Sequence, residues 1–372
     1  MFSSEDEKYM LRALELAAGG AGAVSPNPLV GAVIVKDGEI IAEGFHKRFG
    51  DLHAEADALR NAERAGKDVS GASIYVNLEP CSHRGKQPPC VDAIIKSKIA
   101  KVVFGMTDPN PLVSGRGEKI LSGAGIEVCK GVLEAECRRI NRFFIKHIVS
   151  GVPFVILKAA LSIDGSIACR NGSSGWISSP ESRKRVHALR SQVDAVLIGK
   201  GTALKDNPRL TVRSVAGRNP KRIIADSRLS LPEDLNVFND ETRSNTYLLY
   251  AKDLPVTDKV RRLEARGIHL VGIEPDESGQ ISSMEMLKFL GAGLNVNSVL
   301  VEGGAGIFTS FLSQRLADEF YFYVCPELLG EGIRFDNLAS PEKVSDAMKI
   351  KFTAVNKVGA DIEIIGEKTD EK

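Results

Sequence analysis

Four residues in the first quarter of the chain have the types and spacing of a metal site that acts on water. His53 and Glu55 form an H-x-E pair, and Cys81 and Cys90 stand at the two ends of a polar loop. One imidazole and two thiolates suit zinc, and three protein ligands leave the fourth tetrahedral position open, as in catalytic zinc sites. Glu55 is not needed as a ligand and can carry protons. Because bound zinc lowers the pKa of water to roughly 7, the pattern predicts hydrolysis at neutral pH.

The spacing of the two cysteines leaves alternatives open. Zinc deaminases that act on bases share H-x-E followed by P-C-x-x-C, whereas here eight residues separate Cys81 from Cys90. A longer loop is tolerated because ligands need only converge in space, and two prolines before Cys90 would fix its return. A disulfide between the pair is disfavoured in a chain without an export signal. The other alternative is that all these residues are inert core positions.

The remaining cysteines have no such neighbours. We expect them to be small buried apolar residues: Cys129, Cys137, Cys169 and Cys325.

The composition is that of a soluble globular protein with two domains. The chain has 372 residues, of which 43% are hydrophobic and 26% charged, and a formal net charge of +1. Balanced charge offers no basic surface for a phosphate backbone, so no nucleic-acid partner is expected. Lys158 interrupts the apolar run at 152–161, so no membrane span or membrane partner is expected. The acidic N-terminus lacks a signal segment, which favours a cytoplasmic location.

Alternating strand and helix patterns position the candidate metal ligands. Ser4 and Glu7 match a capping box at the start of a helix, and residues 134–148 are predicted to form a single helix. A helix begins at His53, and Cys81 follows a strand at the mouth of another helix that Cys90 opens. Because backbone N–H groups and the helix dipole stabilise negative charge at a helix N-terminus, this placement favours thiolates.

A domain boundary is predicted where Gly151 and Pro153 interrupt the pattern, giving domains 1–147 and 148–372. Short β-branched runs alternate with helices after the boundary, so both domains are predicted to be α/β. The polar tail from Gly366 onward is expected to fray.

Several motifs, in the same order, resemble a bifunctional family of riboflavin biosynthesis. In the first half these are SPNPLVGAVIV, HAEADAL, LEPCSHRGKQPPC and DPNPLVSGRG, and in the second SIDGSIA, GWISSPES, DNPRLTVR and VEGGAGI. The long loop between the cysteines is itself part of that family's pattern. The resemblance covers nearly the whole chain and implies a cytidine deaminase-like N-terminal domain followed by a dihydrofolate reductase-like C-terminal domain.

For the first domain the resemblance implies zinc on His53, Cys81 and Cys90, with Glu55 as the proton shuttle. The implied reaction is hydrolytic deamination of 2,5-diamino-6-(5-phosphoribosylamino)pyrimidin-4(3H)-one, with release of ammonia. The implied substrate contacts are Asn27 for the pyrimidine, and His46, His83 and Lys86 for the ribose phosphate. Cations beside the metal pocket suit such an anionic group.

For the second domain the resemblance implies reduction of the ribosyl chain to ribityl by NADPH. The implied cofactor contacts are Ala160, Trp176, Thr202, Asp206, Ser227, Gly303, Gly304, Ala305, Gly306 and Ile307. The implied substrate contacts are Ser174, Arg190, Leu210, Arg213 and Glu302. A glycine turn between a strand and a helix presents backbone N–H groups to a phosphate, although the same turn is common in purely structural roles. Ser166 replaces the family's common lysine, so that lysine's role is not carried over.

Two other kinds of function share some of these features. A nucleic-acid editing deaminase would want a basic channel and stacking aromatics, yet aromatic content is 6% and charge is balanced. A regulatory protein built on an inactive enzyme would be expected to have lost one of the four metal-site residues, and all four are present. The expected partners are therefore small phosphoribosyl pyrimidines and further copies of the chain, in a dimer or tetramer.

Overall fold

The computed structural model describes residues 3–83, 88–111, 113–173, 175, 177–255 and 257–369. The chain forms two compact units, Met1–Gly151 and Val152–Lys372. Within the described ranges, every helix is too short or too polar to cross a lipid bilayer.

The described part of the first unit contains five strands and six helices. The strands are β1 (Gly31–Lys36), β2 (Glu39–Phe45), β3 (Ser73–Leu78), β4 (Lys101–Met106) and β5 (Glu127–Lys130). The helices are α1 (Ser4–Ala18), α2 (Ala54–Arg64), α3 (Cys90–Lys96), α4 (Arg116–Gly123), α5 (Glu134–Ile140) and α6 (Arg142–Ser150).

The sheet of the first unit has the order β2-β1-β3-β4-β5. β1 pairs antiparallel with β2 and β3, whereas β3, β4 and β5 run parallel. Buried side chains of α2, α3 and α4 pack on one face of the sheet, and those of α1 and α5 pack on the other. The carboxyl end of β3 therefore opens toward the N-termini of α2 and α3, where the candidate metal ligands lie.

Two local predictions for this unit are wrong in detail. The capping box of α1 is formed by Ser3 and Asp6, one residue earlier than expected, with the Ser3 hydroxyl accepting the Asp6 N–H at 3.1 Å. The single helix expected across residues 134–148 is divided at Asn141 into α5 and α6. The Asn141 side chain is bonded to both backbone groups of Leu29, at 2.8 and 2.9 Å, and this distant contact accompanies the break.

The second unit is built on a larger sheet. Its strands are β6 (Phe154–Ser162), β7 (Ser166–Ala168), β8 (Ala195–Gly199), β9 (Lys221–Ala225), β10 (Thr246–Ala251), β11 (His269–Ile273), β12 (Ser298–Gly303), β13 (Glu319–Cys325), β14 (Ile333–Arg334), β15 (Ile350–Val358) and β16 (Asp361–Lys368). Its helices are α7 (Pro180–Gln192), α8 (Lys200–Asp206), α9 (Asn236–Asn239), α10 (Asp258–Ala265), α11 (Ser283–Lys288) and α12 (Ala305–Ser313). Short 3₁₀ turns occupy Arg243–Asn245 and Val344–Asp346, and a π turn occupies Phe289–Gly293.

Nine strands form the main sheet in the order β11-β10-β9-β8-β12-β6-β13-β16-β15, and β7 pairs separately with β14. The first seven strands of that order run parallel, and β16 and β15 add an antiparallel edge. The carboxyl ends of β6, β8, β9 and β12 meet along one edge, where open α/β sheets commonly bind ligands. The prediction that the tail frays from Gly366 onward is wrong for residues 366–368. These residues form the end of β16 and pair with β13 and β15.

Gly44 on β2 allows α2 to lie directly against the sheet. A Cβ atom at this position would lie 2.2 Å from the Ala58 backbone nitrogen and 2.6 Å from the Ala54 carbonyl oxygen. Both atoms belong to backbone of α2, so a side chain at residue 44 would force the helix away from the strand.

We predict that Gly44→Ala lowers the free energy of unfolding of the first unit by about 1–3 kcal/mol, the usual cost of overpacking. Because α2 begins beside His53, the variant should also bind zinc less tightly. Gly123→Ala is the matched control, since a Cβ there would meet nothing within 4 Å. Chemical denaturation with zinc titration checks both, and equal stability of the two variants would contradict this account of Gly44.

Candidate active sites

One imidazole and two cysteine sulfurs converge at the carboxyl end of β3. His53 is the N-cap of α2, Cys81 follows β3, and Cys90 is the first residue of α3. The His53 Nδ1 atom lies 3.4 Å from the Cys81 sulfur and 3.3 Å from the Cys90 sulfur. All three donor atoms lie within 4.8 Å of one another, and no other such group was found among the described residues.

The protonation of the two thiols favours a cation. A hydrogen bond from Cys90 lowers the pKa of Cys81 to about 4, and the same bond raises the pKa of Cys90 well above its ordinary value. The Cys81 sulfur also accepts the Cys90 backbone N–H at 3.3 Å, at the start of α3. The two sulfurs thus share one proton beside an imidazole, and a metal ion could replace that proton. This donor set fits zinc, which prefers thiolate and imidazole ligands in tetrahedral sites.

All six cysteines lie in the described ranges, and none forms a disulfide. Cys137 and Cys325 are buried as expected, and burial raises the pKa of each to about 12. Cys129 and Cys169 are only partly buried, so the expectation of full burial is wrong for these two.

Glu55 is a buried carboxylic acid in contact with the metal-binding cluster. Its exposed fraction is 3%. Burial, followed by the nearby Cys81 charge, raises the pKa of Glu55 to about 7. A hydrogen bond with the Cys90 thiol acts in the opposite direction and lowers this pKa. A carboxyl group that can both take up and release a proton near neutral pH suits general acid–base catalysis.

A cavity of about 380 Å³ opens onto His53, Glu55 and Cys81. Asn27 and His46 form part of its wall, and the Asn27 amide nitrogen lies 3.0 Å from His46 Nε2. His46 Nδ1 lies 2.9 Å from the Leu52 carbonyl oxygen. Because a carbonyl can only accept, Nδ1 carries the proton and Nε2 accepts from the amide, which orients the Asn27 side chain in the cavity. Burial lowers the pKa of His46, in keeping with a neutral ring.

The predicted phosphate contacts in this unit are placed only in part. His83 is exposed and lines the cavity, whereas Lys86 lies outside the described residues. His46 is buried and neutral, so it offers hydrogen bonding rather than positive charge. Phe144 and Ile148 of α6 close another part of the wall.

Glu79 is a structural residue that sequence reasoning missed. Its Oε1 atom accepts the N–H groups of Gly117 at 2.9 Å and Glu118 at 3.3 Å. Its Oε2 atom accepts those of Asp108 at 3.1 Å and Gly115 at 3.0 Å. The carboxylate is buried, and its four bonds hold the backbone of Asp108, Gly115, Gly117 and Glu118 beside the cavity. The sequence shows only that an acidic residue lies between β3 and Cys81. It does not show which backbone N–H groups surround the Glu79 carboxylate in the fold.

In the second unit, some predicted cofactor contacts meet at the ends of β8 and β12. Gly304 has φ +91 and precedes α12, and a Cβ atom on Gly303 would lie 2.9 Å from the Thr202 hydroxyl oxygen. The turn therefore leaves no room for a side chain beside Thr202, and Ala305, Gly306 and Ile307 form the first turn of α12 directly after it. Such a turn can approach a phosphate closely.

The remaining cofactor candidates are more scattered. Ala160 lies on β6, and Asp206 ends α8. Ser227 follows β9, two strands from β12, and its hydroxyl donates to the Gln280 side chain at 3.0 Å and accepts the Ile281 N–H at 3.1 Å. Trp176 lies outside the described residues, as does the substrate candidate Ser174.

The substrate candidates Arg190 and Glu302 form a buried bidentate ion pair. Arg190 Nη2 lies 2.6 Å from Glu302 Oε2, and Arg190 Nε donates to the other carboxylate oxygen. Although burial acts against it, Arg190 lowers the pKa of Glu302. The guanidinium group of this substrate candidate is thus engaged by a carboxylate. Arg213 is exposed as a whole residue. Partial burial of its guanidinium group, together with the nearby charges of Arg190 and Arg209, lowers its pKa.

The buried Leu210 has φ +55, and the segment that follows it carries Arg213 to the same neighbourhood. Arg213 lies near Arg190 and Arg209, with Glu302 acting in the opposite direction, and this excess of positive charge suits an anionic group of a ligand.

Lys158 is a further functional candidate that sequence reasoning missed. It lies on β6 two residues before Ala160, so the two side chains share one face of the strand. Its ammonium nitrogen is 5.9 Å from the centre of the Tyr323 ring. Burial lowers the pKa of Lys158, with the nearby Glu302 acting the other way and Arg190 adding to the decrease. In the sequence this lysine only interrupts an apolar run, and its charged neighbours come from distant segments.

Each of the two units matches a known protein family. Residues 153–364 match the family model of the RibD C-terminal domain, and residues 3–106 match that of the cytidine and deoxycytidylate deaminase zinc-binding region. The riboflavin biosynthesis protein RibD of Aquifex aeolicus is 40% identical over 365 residues, covering 98% of this chain and 99% of the relative. That of Escherichia coli K12 is 39% identical over 374 residues, covering 96% and 98%.

Solved structures agree with these matches over both units. RibD of Acinetobacter baumannii superimposes with a TM-score of 0.87 at 36% identity, covering 98% of this chain and 99% of that one. The diaminohydroxyphosphoribosylaminopyrimidine deaminase/5-amino-6-(5-phosphoribosylamino)uracil reductase of Thermotoga maritima gives 0.86 at 39% identity, with the same coverage. The expected cytidine deaminase-like and reductase folds are confirmed.

We predict that Glu79→Gln destabilises the first unit by about 1–3 kcal/mol, because an amide NH₂ would face backbone N–H groups that now have an acceptor. Deamination should decrease as well, since Asp108, Asn110 and Val113 form part of the cavity wall. Glu118→Gln is the control, because Glu118 makes only a partly exposed ion pair with Lys130 at 2.7 Å and should change stability by under about 1 kcal/mol. Thermal unfolding and ammonia release are measured, and a wild-type response from Glu79→Gln would contradict the role.

Proposed function

The chain belongs to the bifunctional deaminase/reductase family of riboflavin biosynthesis, and from that premise we propose a reaction, a cofactor and a set of residues for each unit. It is a two-activity enzyme, and the comparisons favour this function over a nucleic-acid editing deaminase. The observation that carries the residue assignment is the convergence of His53, Cys81 and Cys90 around one point, with Glu55 buried beside it.

The proposed first reaction is hydrolytic removal of the 2-amino group from the phosphoribosylamino-pyrimidinone. His53, Cys81 and Cys90 would hold zinc, as their donor atoms fit it. When bound, zinc supplies a Lewis acid that acidifies water. Glu55 takes up the proton of the attacking water and then delivers a proton to the leaving amine. Burial of Glu55, which raises its pKa to about 7, supports both halves of that transfer.

We assign substrate contacts in the first unit to residues that line the cavity. We propose that Asn27, oriented by His46, contacts the pyrimidine through its side-chain amide. His83 at the exposed mouth of the cavity is proposed to meet the ribose phosphate, together with Lys86, which the sequence places in the same loop.

The proposed second reaction is reduction of the ribosyl chain to ribityl. When bound, NADPH supplies the hydride. The turn at Gly303 and Gly304 fits the cofactor because a Cβ there would fill the space beside Thr202. Ala160, Asp206, Ser227 and the first turn of α12 are proposed as further contacts, with Trp176 assigned from the sequence alone. The substrate is proposed to contact Ser174, Arg190, Leu210, Arg213 and Glu302.

Lys158 is proposed to donate the proton that the sugar oxygen needs when hydride reaches the neighbouring carbon. Its side chain shares a face of β6 with the cofactor candidate Ala160, and it lies close enough to Glu302 for their charges to interact. Burial lowers its pKa, which makes the ammonium group a better acid at neutral pH. These features support Lys158 as a proton donor close to the proposed cofactor and substrate residues.

We further propose a homo-oligomer, a dimer or tetramer. Neighbouring strands of the antiparallel edge expose Phe352 at 60%, Val355 at 59% and Ile362 at 38%, and their pairing places all three on one face. An apolar surface of this kind is typical of contacts with another protein surface. Sedimentation of the purified chain measures its mass, and a monomer at micromolar concentration would contradict the proposal.

We predict that Glu55→Gln keeps about one zinc per chain but slows ammonia release roughly 10²- to 10⁴-fold, because it keeps the shape of the side chain and removes the base. NADPH oxidation on pre-deaminated substrate should continue at nearly the wild-type rate. Cys81→Ser should lower zinc content and deamination together. Metal analysis and the two assays check this, and loss of zinc in Glu55→Gln would show that the carboxylate is a ligand.

We predict that Lys158→Met slows NADPH oxidation on pre-deaminated substrate roughly 10²- to 10⁴-fold through loss of the acid. NADPH binding, followed by fluorescence titration, should change little because the aliphatic stem is kept. Lys351→Met, at an exposed position on β15, is the control and should react as the wild type does. A Lys158→Met variant with an unchanged turnover rate would remove this lysine from the mechanism.

A further inference from the structure

His187 on α7 is a buried histidine to which the proposed mechanism gives no role. It is 7% exposed. Its Nδ1 atom accepts the backbone N–H of Arg213 at 3.3 Å. One turn later on the same helix, Arg190 Nη1 lies 3.4 Å from the Thr211 carbonyl oxygen. Two side chains of α7 thus hold the backbone of the segment that carries Arg213.

This segment depends on side chains for its shape. Residues 207–220 lie between α8 and β9 and contain no strand or helix. Leu210 has φ +55, a left-handed conformation uncommon for a residue with a side chain. The Val212 N–H is bonded to the Asn219 side chain at 2.7 Å rather than to a neighbouring strand. A bond from His187 to Arg213 therefore fixes part of the chain that sheet pairing does not fix.

The Arg213 guanidinium group is directed by the same contacts. Its Nη1 atom donates to the Thr211 hydroxyl oxygen at 2.9 Å. With the backbone nitrogen held by His187 and the guanidinium group held by Thr211, both ends of Arg213 are fixed while the residue stays exposed. An exposed cation held in one orientation is suited to a phosphate group, because less side-chain entropy is lost on binding.

The bond from Arg213 requires a lone pair on His187 Nδ1, and therefore a neutral ring. Burial and the nearby charges of Arg190 and Arg213 lower the pKa of His187, while Glu302 and a hydrogen bond with the Thr211 carbonyl act in the opposite direction. These charged groups come from α7 itself, from the segment and from β12. At neutral pH the ring is uncharged and can accept, whereas protonation of Nδ1 would break the bond.

We propose that His187 is a positioning residue for the reductase reaction, holding Arg213 in place to bind an anionic group of the substrate. The proposal rests on the proposed function, in which Arg213 contacts the phosphorylated substrate. His187 itself does not touch the reacting atoms. Its effect should therefore appear in substrate affinity and not in cofactor affinity.

The test uses two variants of the full-length enzyme. His187→Leu keeps a similar volume and removes the acceptor, whereas His187→Asn places its Oδ1 atom where Nδ1 lies and does not titrate. With pre-deaminated phosphorylated substrate, His187→Leu should raise the substrate KM by about 3- to 10-fold, as expected for one lost hydrogen bond. The KM for NADPH and the rate of ammonia release should not change. His187→Asn should keep a substrate KM near that of the wild type.

A double-mutant cycle with Arg213→Gln separates positioning from general support of the fold. If His187 acts through Arg213, then His187→Leu should raise the substrate KM little further once Arg213 is Gln. An equal increase in both backgrounds would overturn the proposal, as would equal effects on the substrate and NADPH. A wild-type enzyme that oxidises no NADPH with this substrate would instead contradict the proposed function.

Acid titration gives a readout that holds even if His187→Leu does not fold. Because the pKa of His187 is lowered from the ordinary histidine value of about 6.5, protonation of its ring requires a pH below that value, and there the wild-type substrate KM should rise more steeply than that of His187→Asn. The substrate phosphate titrates equally in both experiments, so the difference belongs to His187. Parallel KM profiles for the two proteins would overturn the proposal.

Discussion

The convergence of one imidazole nitrogen and two cysteine sulfurs within 4.8 Å is the constraint on which the first unit depends. These atoms come from the N-cap of α2, the end of β3 and the start of α3, so the site forms only if all three elements meet. Gly44 lets α2 approach the sheet closely, and Glu79 draws the following loop against the cavity through four backbone N–H groups. Both residues shape the site without taking part in its chemistry.

The second unit relies on a different kind of contact. A buried ion pair joins Arg190 on α7 to Glu302 at the end of β12, next to the glycine turn proposed for the cofactor. Arg190 also reaches Thr211, and through it the segment that carries Arg213. Because burying either charge alone is costly, the pair must form together. It therefore links the proposed cofactor and substrate residues in one network, with Lys158 beside it.

The sequence predicted which residues converge at the first site better than it predicted their surroundings. His53, Glu55, Cys81 and Cys90 could be identified because their types and order suit only a few kinds of site, and the structure brings them together. Glu79, Lys158 and His187 could not, because each is a common residue whose role depends on which distant backbone or charge lies beside it. The break at Asn141 has the same origin, since its partner Leu29 lies far away in the sequence. The individual substrate and cofactor contacts stay predictions, and Lys86, Ser174 and Trp176 fall outside the described residues.

The central claim is that one chain carries a metal-dependent deaminase and a metal-independent reductase at separate sites. The most direct test is to remove metal from the full-length enzyme with a chelator and to measure ammonia release and NADPH oxidation on pre-deaminated substrate in the same sample. We expect ammonia release to be lost and to return with about one equivalent of zinc per chain, while NADPH oxidation is unchanged. Deamination by the metal-free enzyme, or loss of both activities with the metal, would contradict it.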